Sequence, residues 1–99
     1  MTGGDKQILR SIAGRPIVIS LPANPTTGFK WELDFCDSKL ECIELPYRQL
    51  SRGIGAGGIQ QFKITSQKAG EFFIRFRLKR SWETKVREVR NYKLIAEIK

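Results

Sequence analysis

Apolar residues recur at every second position through three stretches of this chain, and that period of two restricts its fold more than any other feature. Phe29, Trp31, Leu33 and Phe35 alternate with Lys30, Glu32 and Asp34. Phe72, Ile74, Phe76 and Leu78 alternate with Phe73, Arg75, Arg77 and Lys79, and Tyr92, Leu94, Ala96 and Ile98 repeat the pattern near the C-terminus. Strand side chains point alternately to opposite faces, so each stretch reads as a strand with one face buried and one face wet. Of the second stretch, only Phe73 is an aromatic left on the wet face. Residues 16–21 and 59–65 read as further strands, with weaker extended pieces at 7–12 and around 40–50, the latter interrupted by Pro46. No window carries a 3.6-residue stripe. Turn signals fall between the strands at Ala13-Gly14-Arg15-Pro16, Asn24 to Gly28, Arg52 to Gly58 and Lys68-Ala69-Gly70. About seven to eight short strands of this kind predict an all-β, two-sheet sandwich, with a small closed barrel as the alternative.

At 99 residues the chain has room for one domain, spanning 1–99, with residues 1–6 expected as a flexible tail. No apolar run is long enough to cross a membrane. The polar start, Met1 to Gln7, lacks the apolar stretch of a signal peptide, which favours the cytosol over a vesicular or secreted location reached through a removed signal. Cys36 and Cys42 are too few for a disulfide framework, and their C-x5-C spacing is not that of a zinc site. Two free, packed thiols are expected, with a disulfide across a short connection as the other reading.

The chain contains no histidine. Ser-His and Cys-His nucleophilic chemistry therefore lacks its base, histidine-based zinc sites are excluded, and the ten acidic residues are scattered singly among bases. An enzyme is not expected. The formal charge of +8 is concentrated late in the chain, where residues 71–99 hold nine Lys/Arg against four Asp/Glu. Such a field favours acidic partners of any kind and names none.

Strand alternation also sorts the connections. With 16–21 and 29–36 as second and third strands, the connection 22–28 lies at one end of the sandwich, and 52–58 and 79–85 return to that end. Asn24-Pro25-Thr26-Thr27-Gly28-Phe29 is the most informative of these. Pro25 sets φ near about −65° and constrains Asn24, whose side chain can bond back to the backbone as an Asx-turn. Thr26 and Thr27 are stiff at χ1, and Gly28 permits a positive φ where the strand resumes. A loop with few accessible conformations is expected. Arg52-Gly53-Ile54-Gly55-Ala56-Gly57-Gly58-Ile59 is glycine-rich, but Gln60 to Ile64 continues as a strand rather than a helix, so a phosphate loop is set aside. Its backbone is suited to close approach by a partner. Lys79-Arg80-Ser81-Trp82-Glu83 puts an indole in a charged connection with no apolar register, and an exposed Trp beside Arg is a typical binding anchor. Taken singly, each is also compatible with an ordinary turn.

Together, the three connections resemble those of the chagasin family of cysteine peptidase inhibitors. The resemblance rests on Asn24-Pro25-Thr26-Thr27-Gly28-Phe29 followed by Trp31, on Gly55-Ala56-Gly57-Gly58, and on Arg80 with Trp82, in the family's order and spacing. It runs from residue 8 to residue 99. One position departs: the family's third motif reads Arg-Pro-aromatic, and Ser81 stands here in place of the proline.

The resemblance implies an immunoglobulin-like sandwich whose three loops form a wedge in the cleft of papain-family cysteine peptidases of cathepsin L- or B-like type. Thr26 and Thr27 would sit over the catalytic cysteine, residues 55–58 along one side of the cleft, and Arg80, Ser81 and Trp82 along the other. Inhibition would be reversible, non-covalent and competitive, by a monomer that needs no cofactor, metal, nucleic acid or membrane, with neither cysteine taking part. The rival readings are a basic β domain that binds single-stranded nucleic acid through the strand 72–79, and an adhesion or ligand-binding sandwich of the same fold.

Overall fold

The computed structural model describes residues 6–49 and 57–98. Strands β1 (Lys6–Ile12), β2 (Ile17–Ala23), β3 (Phe29–Cys36), β4 (Leu40–Glu44), β5 (Arg48–Gln49), β6 (Gly58–Ser66), β7 (Gly70–Arg80) and β8 (Glu88–Glu97) account for most of it, with a single 3-10 turn at Pro25–Thr27. One sheet has the order β1-β8-β7-β3 and the other β2-β6-β4, with β5 also paired to β6. Neither sheet closes on itself, so the architecture is the expected sandwich and not a barrel. The extended piece at 40–50 is split at Pro46, which lies between β4 and β5. Of the tail expected at 1–6, only Lys6 is described, and it is already paired with Asn91 in the parallel β1–β8 ladder. No helix among the described residues is long and apolar enough to cross a membrane.

The period of two is realised as burial. Ile19, Leu21, Phe62 and Ile64 from one sheet face Trp31, Phe72, Ile74, Phe76, Tyr92, Leu94 and Ala96 from the other. Phe76 joins the layers, its ring centroid 4.6 Å from that of Phe62 and 5.8 Å, edge-on, from that of Tyr92. Such offset contacts are the favoured arrangement for aromatic rings.

The alternation misplaces three residues. Leu33 keeps the inward register opposite Phe76, but β3 is the edge of its sheet and leaves Leu33 38% exposed. Between Leu33 and Phe35 the ladder with β7 slips by one residue, which turns Phe35 to the outer face opposite Arg75, where it is 49% exposed. The extra residue is Asp34, whose carboxylate pairs with Arg75 and Arg77 at 3.4 Å each. A bulge of this kind shifts every later side chain to the other face. Ile98 lies just beyond β8 and is 82% exposed.

Registers at the strand ends define the two ends of the sandwich. Ala23 is opposite Gly58, and Phe29 is opposite Arg80. The connections after β2, before β6 and after β7 therefore leave from one end, as the strand count predicted. The turns after β1, β3 and β6 occupy the other.

Candidate functional site

The connection between β2 and β3 is held by its own side chains. The Asn24 Oδ1 accepts hydrogen bonds from the Thr26 amide at 3.2 Å and from the Thr26 hydroxyl at 2.6 Å, which is the expected Asx-turn. The Thr27 amide and hydroxyl both donate to the Asn24 carbonyl, at 3.1 and 2.8 Å. Pro25 opens the 3-10 turn. Gly28 has φ of +81°, the left-handed region expected there, and Phe29 starts β3.

Beneath this loop lies a residue the sequence reading did not single out. Gln60 is 4% exposed and faces the open edge of β3 from the other sheet. Its Oε1 accepts from the Trp31 amide at 2.8 Å, and its Nε2 donates to the Trp31 carbonyl at 3.1 Å. One side-chain amide thus satisfies both backbone groups of an edge residue, as a neighbouring strand would. The Trp31 indole in turn donates to the Pro22 carbonyl at 2.8 Å, tying the strand after the loop to the strand before it. The available signal was register: Gln60 falls on the same face of its strand as Phe62 and Ile64, and a polar residue on a buried face needs a partner.

The segment after β7 closes over the first loop. Arg80 Nε donates to the Thr27 carbonyl at 3.1 Å, and its guanidinium lies 4.3 Å above the Phe29 ring and 3.7 Å from the Glu83 carboxylate. Arg87, at the start of the return, stacks on the same Phe29 ring at 4.9 Å. Trp82 is 70% exposed, yet the edge of its indole lies so close to Gly28 that a Cβ there would come within 2.5 Å of it. Gly28 is therefore required for its φ, and a side chain there would displace the Trp82 indole. Ser81 is exposed at the tip of a turn closed by the Glu83 amide on the Arg80 carbonyl at 3.1 Å.

On the remaining side, Gly58 is opposite Ala23, and Tyr47 and the Arg48 carbonyl crowd its α-carbon so closely that no side chain fits. Gly57 adjoins the Ala23 carbonyl. Gly55 and Ala56 lie outside the described residues. An open depression of about 730 Å³ runs between the loops, floored by Phe29 and Leu78 and flanked by Thr27, Gly57, Arg80 and Arg87. The structure thus brings together Asn24, Thr26, Thr27, Gly28, Phe29, Gly57, Gly58, Arg80 and Trp82, with Pro25 in the 3-10 turn and Ser81 at the tip of the third connection, and adds Arg87 and Gln60.

Residues 12–95 match the sequence pattern of the chagasin family of peptidase inhibitors, I42, and the chain belongs to that family. Amoebiasin-1 of Entamoeba histolytica is 38% identical over 65 residues, 65% of this chain and 64% of its own length. Chagasin of Trypanosoma cruzi is 32% identical over 75 residues, 70% of this chain and 68% of its own. The matched chain thus spans about two thirds of the length of these relatives. Among solved structures, a cysteine protease inhibitor of Entamoeba histolytica superposes with a TM-score of 0.79 at 19% identity, covering 94% of this chain and 88% of that one. Amebosin gives 0.71 at 27% identity, covering 91% and 88%. PbICP-C, solved in complex with falcipain-2, gives 0.63 at 13% identity, covering 100% and 93%. The sandwich is accordingly the immunoglobulin-like fold of this family.

Proposed function

We propose that the chain, as a single monomeric domain, is a reversible, non-covalent and competitive inhibitor of papain-like cysteine peptidases of the cathepsin L or B type, and that it works by placing the three-loop end in the active-site cleft. The observation that carries this reading is the locking of Arg80 and Trp82 onto Thr27 and Gly28. It supports a site already in its binding conformation before a partner arrives.

Two physical consequences make such a site an inhibitor rather than a substrate. Cleavage needs a carbonyl held in attack geometry over the peptidase thiolate. The Thr26–Thr27 segment is coiled in a 3-10 turn bonded to Asn24, so it fills the space above the thiolate without offering an extended peptide. Association also costs less when the loop has little conformational freedom left to lose. Peptidase–inhibitor interfaces bury about 1,600 Å² in total, an area that a small wedge-shaped end can supply. In this arrangement Thr26 and Thr27 cover the catalytic cysteine, the glycine-rich segment 55–58 lines one wall, and Trp82 lies on the other. The depression floored by Phe29 is left to receive a projecting peptidase side chain, with Arg80 and Arg87 favouring an acidic one.

The test is a titration against papain with a fluorogenic peptide substrate, with a trypsin-like serine peptidase as control. Inhibition of papain alone, reversed on dilution and overcome by substrate, is the expected result. Failure against papain and a panel of cathepsin-like enzymes would sink the reading.

One observation favours the nucleic-acid alternative: Phe73 and Phe35 are both exposed on the outer face of the β1-β8-β7-β3 sheet, at 43% and 49%, beside Lys6 and Arg75. The cations there are largely engaged, however, with Arg75 and Arg77 on Asp34 and Glu32, and Lys93 on Glu71. Phosphates would have to displace those carboxylates, which weakens this reading against the first. Salt-sensitive binding of single strands would revive it.

A further inference from the structure

We propose that Cys36 and Cys42 form a dithiol site that low-molecular-weight disulfides such as glutathione disulfide convert to an internal disulfide, tying the two sheets together at the end remote from the three loops. The inference does not rest on the inhibitor reading.

The fold brings these two residues together. Cys36 ends β3, the edge of one sheet, and Cys42 lies in β4, an edge of the other. Cys36 is opposite Ile74 and Cys42 opposite Ile64, and both isoleucines are core residues, so both thiols face the space between the sheets. The turn joining the strands is fixed: the Leu40 amide bonds the Asp37 carbonyl at 3.0 Å, the Lys39 amide bonds Asp37 Oδ1 at 3.0 Å, and the Asp37 amide bonds Phe73 O at 3.2 Å. Across that turn the two thiols are near enough to perturb each other's ionisation. Both are free and partly exposed, within reach of a small reagent.

The same contact differentiates the thiols. The interaction with Cys42 holds the Cys36 thiol below its ordinary value against the opposing effect of burial, and Cys42 is pushed up by that interaction and by burial. The thiolate is the nucleophile, and in the proposed step Cys36 attacks first. Its Sγ forms a bond to one sulfur of glutathione disulfide, the sulfur–sulfur bond of the reagent breaks, and one glutathione leaves as thiolate and takes up a proton. Cys42 then loses its proton to solvent, its Sγ attacks Cys36 Sγ, and the second glutathione leaves. The protein loses two protons and two electrons, and one glutathione disulfide takes them up to become two glutathiones.

The experiment exposes the native wild-type protein to glutathione disulfide, quenches with acid, and alkylates under denaturing conditions before measuring the intact mass. The expected product is a monomer lighter by two hydrogens that takes up no alkylating reagent and is restored by dithiothreitol. It should melt several degrees higher than the reduced form, as a cross-link restricts the unfolded chain. Two alkylated thiols after prolonged exposure, a lasting glutathione adduct on the wild type, or a covalent dimer would each overturn the proposal. Cys42→Ser and Cys36→Ser should each stop at a glutathione adduct on the remaining thiol, and a variant that takes up no glutathione would overturn the proposal that both thiols react. Against papain activated in advance and freed of reductant, oxidised and reduced forms should inhibit within about twofold of each other, since distant sites act independently. A larger difference would overturn the placement of the staple away from the loops.

Discussion

In the loop before β3 the stabilising contacts run between Asn24, Thr26 and Thr27 themselves, whereas in the segment after β7 they run outward, from Arg80 to Thr27 and Phe29 and from Trp82 to Gly28. The first loop is stiff because of its own residues; the third borrows stiffness from the first. Ser81 shows why borrowing is needed. The Arg80–Glu83 turn places Ser81 at the second of its four positions, where proline is favoured because it presets φ. This chain lacks that local restraint and has instead a guanidinium held by a carbonyl, a carboxylate and an aromatic face.

The proposed function and this comparison can be broken together by Thr27→Asp. It removes the hydroxyl donor to Asn24 and places a carboxylate where the peptidase thiolate would lie, and like charges brought together cost several kcal/mol. We expect inhibition of papain to weaken by about 3 kcal/mol with the thermal midpoint little changed. An unchanged inhibition constant would remove the first loop from the site. Trp82→Ala comes next, at about 2 kcal/mol or more in binding, as for other aromatic anchors. Because the indole is 70% exposed, the unfolding free energy should hardly move, and a large loss of stability with intact inhibition would make Trp82 a structural residue.

Asn24→Ala tests self-stiffening. Losing both bonds to Thr26 should cost about 1 kcal/mol in inhibition, read from the inhibition constant, with the third loop still in place. The smallest effect is a gain. Ser81→Pro supplies the missing local restraint and should stabilise the fold by about 0.4–1 kcal/mol, measured by denaturant unfolding. A loss instead would mean that the borrowed contacts hold the turn in a shape that proline cannot adopt.

Much of this was legible along the chain. The Asx-turn at Asn24, the positive φ of Gly28, the burial of Trp31 and the exposure of Trp82 each depend on a few neighbouring residues, and each was read from them. Strand alternation placed the loops at one end because each strand reverses the chain. The exposure of Phe35 was not legible, since Asp34 enters a bulge only in relation to Arg75 and Arg77 on β7. Nor was the part played by Gln60, which is a long-range partner of Trp31 from the opposite sheet.

By itself, then, the sequence determined the strands, the self-bonded first loop and the absence of a histidine-based site, because periodicity, turn chemistry and composition act over short distances along the chain. Tertiary structure alone decided which groups meet across it: Arg80 on Thr27, Trp82 over Gly28, and Gln60 on the edge of β3. Those contacts arise from how two twisted sheets are registered and stacked, and no local run of residues encodes the distance between one sheet and the other.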